Sequence, residues 1–335
     1  MTLVEPTGRS WRDENEVIFN ETVEAAAYDL GIPALAVEKD YWVCQALRAI
    51  ETSAPGETIF KGGTSLEKLR LINRFSEDLD LLVIGTYPTK GATERAMKRM
   101  CSAAESALPG CVQQKDKSGG KPGSLHRSVY LTLPLGPQEP DSAIADPGAI
   151  LIELGQSGGS HPARRHDVTS LLGRQLSERG FDTAGFVDLA PFEVQILHPG
   201  RTLIEKLLRV NNFAIDDERR LDRDGWPRIG RQFYDIWALL GDKDVRDLLA
   251  DAEESSTVMT DCVRVSQDFR PDLPPPTGGF SKCQAFDPAW EHSPLLREQH
   301  GVAMKSLYYG SGSGPSFDDV IERVREYADL LDIAA

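Results

Sequence analysis

The feature that most constrains this chain is a short apolar run that ends on paired glycines. Thr58-Ile59-Phe60 reads as a strand and leads into Lys61-Gly62-Gly63-Thr64-Ser65. A helical pattern through Leu66, Leu69 and Ile72 follows, then Arg74-Phe75-Ser76-Glu77-Asp78-Leu79-Asp80. Asp78 to Ile84 has the alternation of a strand with one polar and one apolar edge. A strand that turns on glycine into a helix and returns as a strand belongs to a sheet covered by helices.

The rest of the sequence extends that layout. Residues 17–50 are helical in pattern, broken at Gly31-Ile32-Pro33, and residues 92–107 form another helix. Ser128–Leu135, Ile150–Leu154 and Phe192–Leu197 read as strands, separated by loops at Gln113–Gly123 and Gln156–Arg165. Beyond Leu197 the signal is helical. Thr202 and Glu205 have capping-box spacing, and Phe233, Ile236, Trp237 and Leu240 repeat at helical intervals. A last helix starts at Ser316. The expectation is an α+β fold: a mixed sheet with flanking helices over 1–197, and a helical C-terminal domain over 198–335.

Composition narrows the class. At 335 residues, 40% of them hydrophobic and 27% charged, the chain is of ordinary globular type. No run reaches the ~18 apolar residues of a membrane helix, and Met1 to Asn20 lacks an apolar signal region, so a cytoplasmic location is expected. The cysteines at 44, 101, 111, 262 and 283 have no CxxC spacing, which argues against a disulfide framework or structural zinc. A net charge of −15 counts against extensive phosphate contact, though local basic patches still bind anions.

The glycine turn and the Asp pair together suggest chemistry. Gly62 and Gly63 let backbone N–H groups approach an anion, and the helix beginning near Thr64 directs its positive end to the same place. Asp78 and Asp80, two apart on a strand, project from one face and suit Mg²⁺, which shares its shell with phosphate. Either piece alone is commonly a plain turn or a solvated strand edge. In this order they suit metal-assisted phosphoryl or nucleotidyl transfer.

These residues resemble the AbiEii/AbiGii toxin nucleotidyltransferases of type IV toxin–antitoxin systems, within the polymerase-beta-like nucleotidyltransferase superfamily. The resemblance rests on Phe60–Leu66 with Arg74–Leu81, on Glu38-Lys39-Asp40-Tyr41-Trp42-Val43, on Arg201-Thr202-Leu203-Ile204-Glu205-Lys206-Leu207, and on Arg231-Gln232-Phe233-Tyr234-Asp235. It implies that Asp78 and Asp80 hold Mg²⁺ or Mn²⁺, and that Gly62, Gly63, Thr64 and Ser65 contact the triphosphate of an NTP. Lys206 and Asp235 match further active-site positions of the family. Lys206 lies off the stripe of Leu203, Leu207 and Val210, which would leave it free to reach a phosphate. The plain alternative for Asp235 is an ion pair with Arg231, four residues before it.

The superfamily also adds a third carboxylate as metal ligand or general base. Glu153, a single charge in the apolar run Ile150–Leu154, is the candidate, with Asp146 and Glu193 as alternatives. The basic groups Lys115, Lys117, Lys121, His126 and Arg127, and Arg164-Arg165-His166, could meet RNA or be merely solvated. Trp42, Trp226, Trp237 and Trp290 read as packing residues. The expected function is an NTP-dependent nucleotidyltransferase toxin. Its implied acceptor is the tRNA 3′ end, and a cognate antitoxin is its implied partner. The alternatives are nucleotidylation of a protein and an inactive nucleotide-binding protein on the same scaffold.

Overall fold

The computed structural model describes residues 8–76, 78–119, 125–133, 135, 148–216, 225–269 and 273–334, apart from the side chains of residues 225–228 and 269. Glu77, Lys121, Asp146 and the side chain of Trp226 therefore lie outside the described residues. The chain divides into two compact units. One comprises residues 1–69, 75–157 and 164–196, and the other residues 70–74, 158–163 and 197–335. Two short segments, 70–74 and 158–163, belong to the second unit although they lie within the sequence of the first.

The first unit is built on a mixed seven-stranded sheet. Its strands are β1 (Thr58–Lys61), β2 (Asp78–Val83), β3 (Val112–Gln113), β4 (His126–Thr132), β5 (Ala149–Gly155), β6 (Ala163–Val168) and β7 (Phe192–Leu197), in the order β3-β4-β5-β2-β1-β7-β6. β2 is antiparallel to β1 and parallel to β5, which places it in the middle. Leu79 and Leu81 are buried, whereas Asp78 and Asp80 are half-buried on the opposite face. One face of β2 thus goes to the core and the other carries carboxylates, as its alternation requires.

Helices cover the apolar face. α1 (Trp11–Glu14), α2 (Glu16–Leu30), α3 (Ala34–Ser53), α4 (Gly62–Lys68), α5 (Lys90–Ala107) and α6 (Leu171–Glu178) belong to this unit. Gly31 ends α2 at φ 67°, and Pro33 precedes α3, so the Gly-Ile-Pro break is real. α3 lies between α2, α5 and α6, and this enclosure buries even Glu38, Lys39 and Asp40. Buried charge needs a partner. Lys68 at the end of α4 bonds Asp40 and lies 2.8 Å from Glu67, while Arg174 of α6 donates to Glu67 at 2.8 Å. The Leu171 N–H donates to the other Asp40 oxygen at 2.5 Å.

β6 is an edge strand that the alternation signal does not reveal, because Arg164, Arg165 and Asp167 are exposed and Val168 alone is buried. It opens in the segment 156–165 that reads as loop.

The second unit is helical: α7 (Pro199–Ile215), α8 (Gly225–Gly241), α9 (Lys243–Ala250), α10 (Ala252–Phe269), α11 (Ser293–Leu307) and α12 (Phe317–Glu326). α8 packs against α7, α11 and α12 and buries Phe233, Ile236, Leu239 and Leu240. Its crossing with α11 is close at Gly230, where a Cβ would stand 2.4 Å from the Gln299 carbonyl oxygen. The start of α7 corrects the capping-box reading. The helix begins at Pro199, and His198 caps it by accepting the Gly200 N–H at 3.0 Å. Thr202 is inside the helix, and Glu205 accepts from Arg201 at 3.1 Å. Proline fits the first helical position, so the helix can start earlier than Thr202.

Candidate active site

In the first unit the glycine turn and the Asp pair meet. Gly62 adopts φ +81°, and a Cβ on it would stand 2.4 Å from the Asp80 Oδ2. Only glycine lets the turn approach that carboxylate so closely. Thr64 and Ser65, 1% and 0% exposed, use their hydroxyls internally. Thr64 Oγ1 donates to the Asp78 carbonyl at 2.6 Å and lies 3.0 Å from the Ser76 hydroxyl, and Ser65 donates to the Gly62 carbonyl at 2.9 Å. The Thr64 hydroxyl therefore holds α4 against β2, while the Ser65 hydroxyl bonds within α4.

Neighbouring strands set residues level with Asp80. Lys61 pairs with it across β1, and Glu153 pairs with it across β5. Glu153 is not a buried charge in an apolar run, because β5 has one half-open face and its side chain is 37% exposed. Ser128 donates to it at 3.4 Å and His126 Nε2 lies 3.5 Å away. Of the alternatives, Glu193 accepts from Arg165 at 3.1 Å on the exposed edge. Among the described residues no group of three or more His, Cys, Asp or Glu could hold a metal ion, so Glu153 does not close a cage with Asp78 and Asp80. Two carboxylates on one strand face still fit Mg²⁺, a hard cation that takes few protein ligands and fills its shell from phosphate and water.

The basic groups are partly occupied. Arg127 lies 3.8 Å from Glu94, and Lys117 stands 5.8 Å from the Tyr130 ring. Trp42 is buried as the pattern suggests, whereas Trp237 and Trp290 are half-buried.

In the second unit three motif residues converge. Arg74 donates to both Asp235 oxygens, Nε to Oδ1 at 2.6 Å and Nη2 to Oδ2 at 2.7 Å. Lys206 Nζ lies 2.7 Å from Asp235 Oδ2 and donates to Gln232 at 3.0 Å. Lys206 is thus paired and buried, where its place off the apolar stripe suggests a side chain free to reach a phosphate. Asp235 is fully buried, and its partners are Arg74 and Lys206. Burial raises the Asp235 pKa, but the Arg74 and Lys206 charges overcome it and hold the carboxyl at about 2. The Lys206 pKa is lowered by burial, with Arg74 adding to that effect against the pull of Asp235. Arg74 is the residue that sequence reasoning missed. Its position four before Asp78 was the available signal, since a buried aspartate in a distant motif requires a cation.

Residues 45–323 match the family described as the nucleotidyl transferase AbiEii toxin of type IV toxin–antitoxin systems. The chain belongs to this family. It is therefore a nucleotidyltransferase, and its match takes in the glycine turn, the Asp pair, Lys206 and Asp235. The 38–43 segment precedes the matched residues. No curated protein matches the sequence. Among solved structures, a candidate nucleotidyltransferase from H. pylori is 14% identical, with 69% of this chain and 94% of that chain covered and a TM-score of 0.29. JHP933 from Helicobacter pylori is 16% identical over 78% of this chain and 90% of that one, with a TM-score of 0.30. Similarity at that level carries no argument about the AbiEii site here.

Proposed function

We propose that this AbiEii family member transfers a nucleoside monophosphate from an NTP to the 3′ end of a tRNA, using Mg²⁺ or Mn²⁺ held by Asp78 and Asp80. The observation that carries the reading is the Asp80 carboxylate packed against the Cβ-less Gly62 turn, with Asp78 on the same strand face. A bound divalent metal supplies charge neutralisation on the triphosphate. The protein's own groups do the rest. Backbone N–H groups of the turn bind phosphate oxygen. Glu153, level with Asp80, accepts the proton of the attacking hydroxyl. The hydroxyl oxygen bonds to the α-phosphorus, the bond from α-phosphorus to the bridging oxygen breaks, and pyrophosphate leaves. Catalysis rests mainly on positioning and charge, as in phosphoryl transfer generally.

The tRNA acceptor rests on the family resemblance. Transfer to a protein hydroxyl is the second reading, favoured by the net charge of −15, which disfavours broad contact with a polyanion. A cognate antitoxin, implied by the toxin–antitoxin family, completes the proposed partners. The test is incubation with each α-phosphate-labelled NTP, Mg²⁺ and either purified tRNA or cell protein. Label in tRNA is expected. Label in protein alone would replace the acceptor, and NTP binding without pyrophosphate release would support an inactive scaffold.

A further inference from the structure

We propose that a cavity in the first unit binds a small organic anion with an apolar body, at a site separate from the residues proposed for nucleotidyl transfer. The cavity has a volume of about 570 Å³, within the range of small-molecule sites. Ala49 of α3, Ala103 and Ala107 of α5, and Pro109 give it apolar walls. Arg12 and Arg48 give it positive charge. No residue proposed to touch metal, NTP or acceptor lines it, so the inference does not depend on the transferase reading.

The two arginines are fixed in place and under-used as donors. The Arg48 guanidinium lies 4.1 Å from the centre of the Phe192 ring, and its Nη2 donates to the Ala190 carbonyl at 2.6 Å. Arg12 lies 4.8 Å from the Trp42 ring and 5.4 Å from the Phe19 ring. Among the described residues, both keep a buried Nε–H without an acceptor. The Nε groups are shielded, so the outer Nη groups are the donors a ligand in the cavity would meet, and an anion is the acceptor that suits a guanidinium best.

The cavity's own carboxylates do not fill this role. Asp188 accepts the Trp11 and Arg12 N–H groups at 2.7 and 3.0 Å and the Tyr41 hydroxyl at 2.8 Å. Asp13 is exposed and reaches Arg12 Nη1 at 3.4 Å, a weak contact. Spare cationic donors beside apolar walls select one ligand chemistry: a carboxylate, sulfonate or phosphate monoester head on an aliphatic or aromatic body.

The full-length protein would be titrated with 8-anilinonaphthalene-1-sulfonate, followed by its fluorescence. Uncharged N-phenyl-1-naphthylamine and inorganic phosphate serve as comparisons. One saturable sulfonate site is expected, with the uncharged analogue bound about tenfold more weakly or worse, the scale of one charged hydrogen bond. Arg48→Gln should weaken sulfonate binding by a similar factor and leave the uncharged analogue unaffected. Ala103→Trp, which fills the cavity from α5, should abolish both, and it decides the matter should Arg48→Gln not fold. Equal binding of charged and uncharged compounds would overturn the role of the arginines. Displacement by inorganic phosphate would overturn the apolar body, and unchanged binding in Ala103→Trp would overturn the site.

Discussion

Asp235 shows how much one carboxylate can organise, since its two oxygens accept Arg74 and Lys206 from separate stretches of sequence. Its pKa is depressed from 3.8 to about 2, so its stabilising contribution is complete above about pH 4 and fades as the pH falls through about 2. That contribution is about 2 kcal/mol. Asp235→Asn should therefore flatten acid unfolding across that window. At neutral pH it should cost about 3–5 kcal/mol, because it leaves two buried cations unbalanced. Urea unfolding at pH 7 and pH 3 checks both, and an unchanged acid limb would show that another carboxylate governs it. Gly62→Ala tests the other cluster. The new Cβ would meet Asp80 Oδ2 at 2.4 Å on a backbone at φ +81°, costing about 1–2 kcal/mol from the left-handed conformation alone. Nucleotide transfer should fall far more than stability, because the displaced group is the proposed metal ligand. Full activity with an intact melting temperature would detach Gly62 from the site.

At the scale of elements, α4 is short and is held at both ends. Thr64 ties its start to β2, and Lys68 ties its end to Asp40 of α3. Burial pushes the Lys68 pKa down, yet Asp40 and Glu67 leave it well above its ordinary value, so the ammonium stays charged. Lys68→Met should destabilise the protein by about 3–5 kcal/mol, leaving Asp40 buried without its cation and Glu67 with Arg174 alone. The paired change Asp40→Asn with Lys68→Met should cost less than the sum of the singles, which equilibrium unfolding of the three variants measures. Additive losses would show that Asp40 and Lys68 do not act together. This tie marks the limit of what the sequence made legible. The glycine turn, the alternating β2, the Gly31 break and the apolar repeat of α8 were readable because local chemistry or periodicity dictates them. Residues 163–168 were not, because an edge strand needs little apolar alternation. The partners of Asp40, Lys206 and Asp235 were hidden for another reason. Each lies far away in sequence, and spacing along one helix cannot report a contact made by folding. Glu153 misled in the same way, since an apolar run does not show that one face of its strand stays half-open.

At the scale of the whole molecule, the strongly acidic composition and the toxin family make opposite demands. A net charge of −15 disfavours broad contact with a polyanion, so a nucleic-acid acceptor would have to be held through few, local contacts. A catalyst tolerates this better than a stoichiometric binder does. Each turnover consumes one acceptor, and a weakly held product leaves quickly, so low copy number suffices. A passive binding protein must instead match its target in amount. Expression without a partner should therefore slow bacterial growth, and Asp78→Ala should relieve the effect at equal protein level. Asp78 is suited to this contrast because its side chain lies on the half-open face of β2, away from the core formed by Leu79 and Leu81. Its removal should leave the melting temperature within a few degrees of the parent. Growth arrest of equal depth in both strains would argue against catalysis, because simple sequestration need not depend on one carboxylate. The informative quantity is the difference between the strains, measured as growth rate against protein level. If catalysis causes the arrest, the parent should slow growth at levels where the variant, even severalfold more abundant, does not.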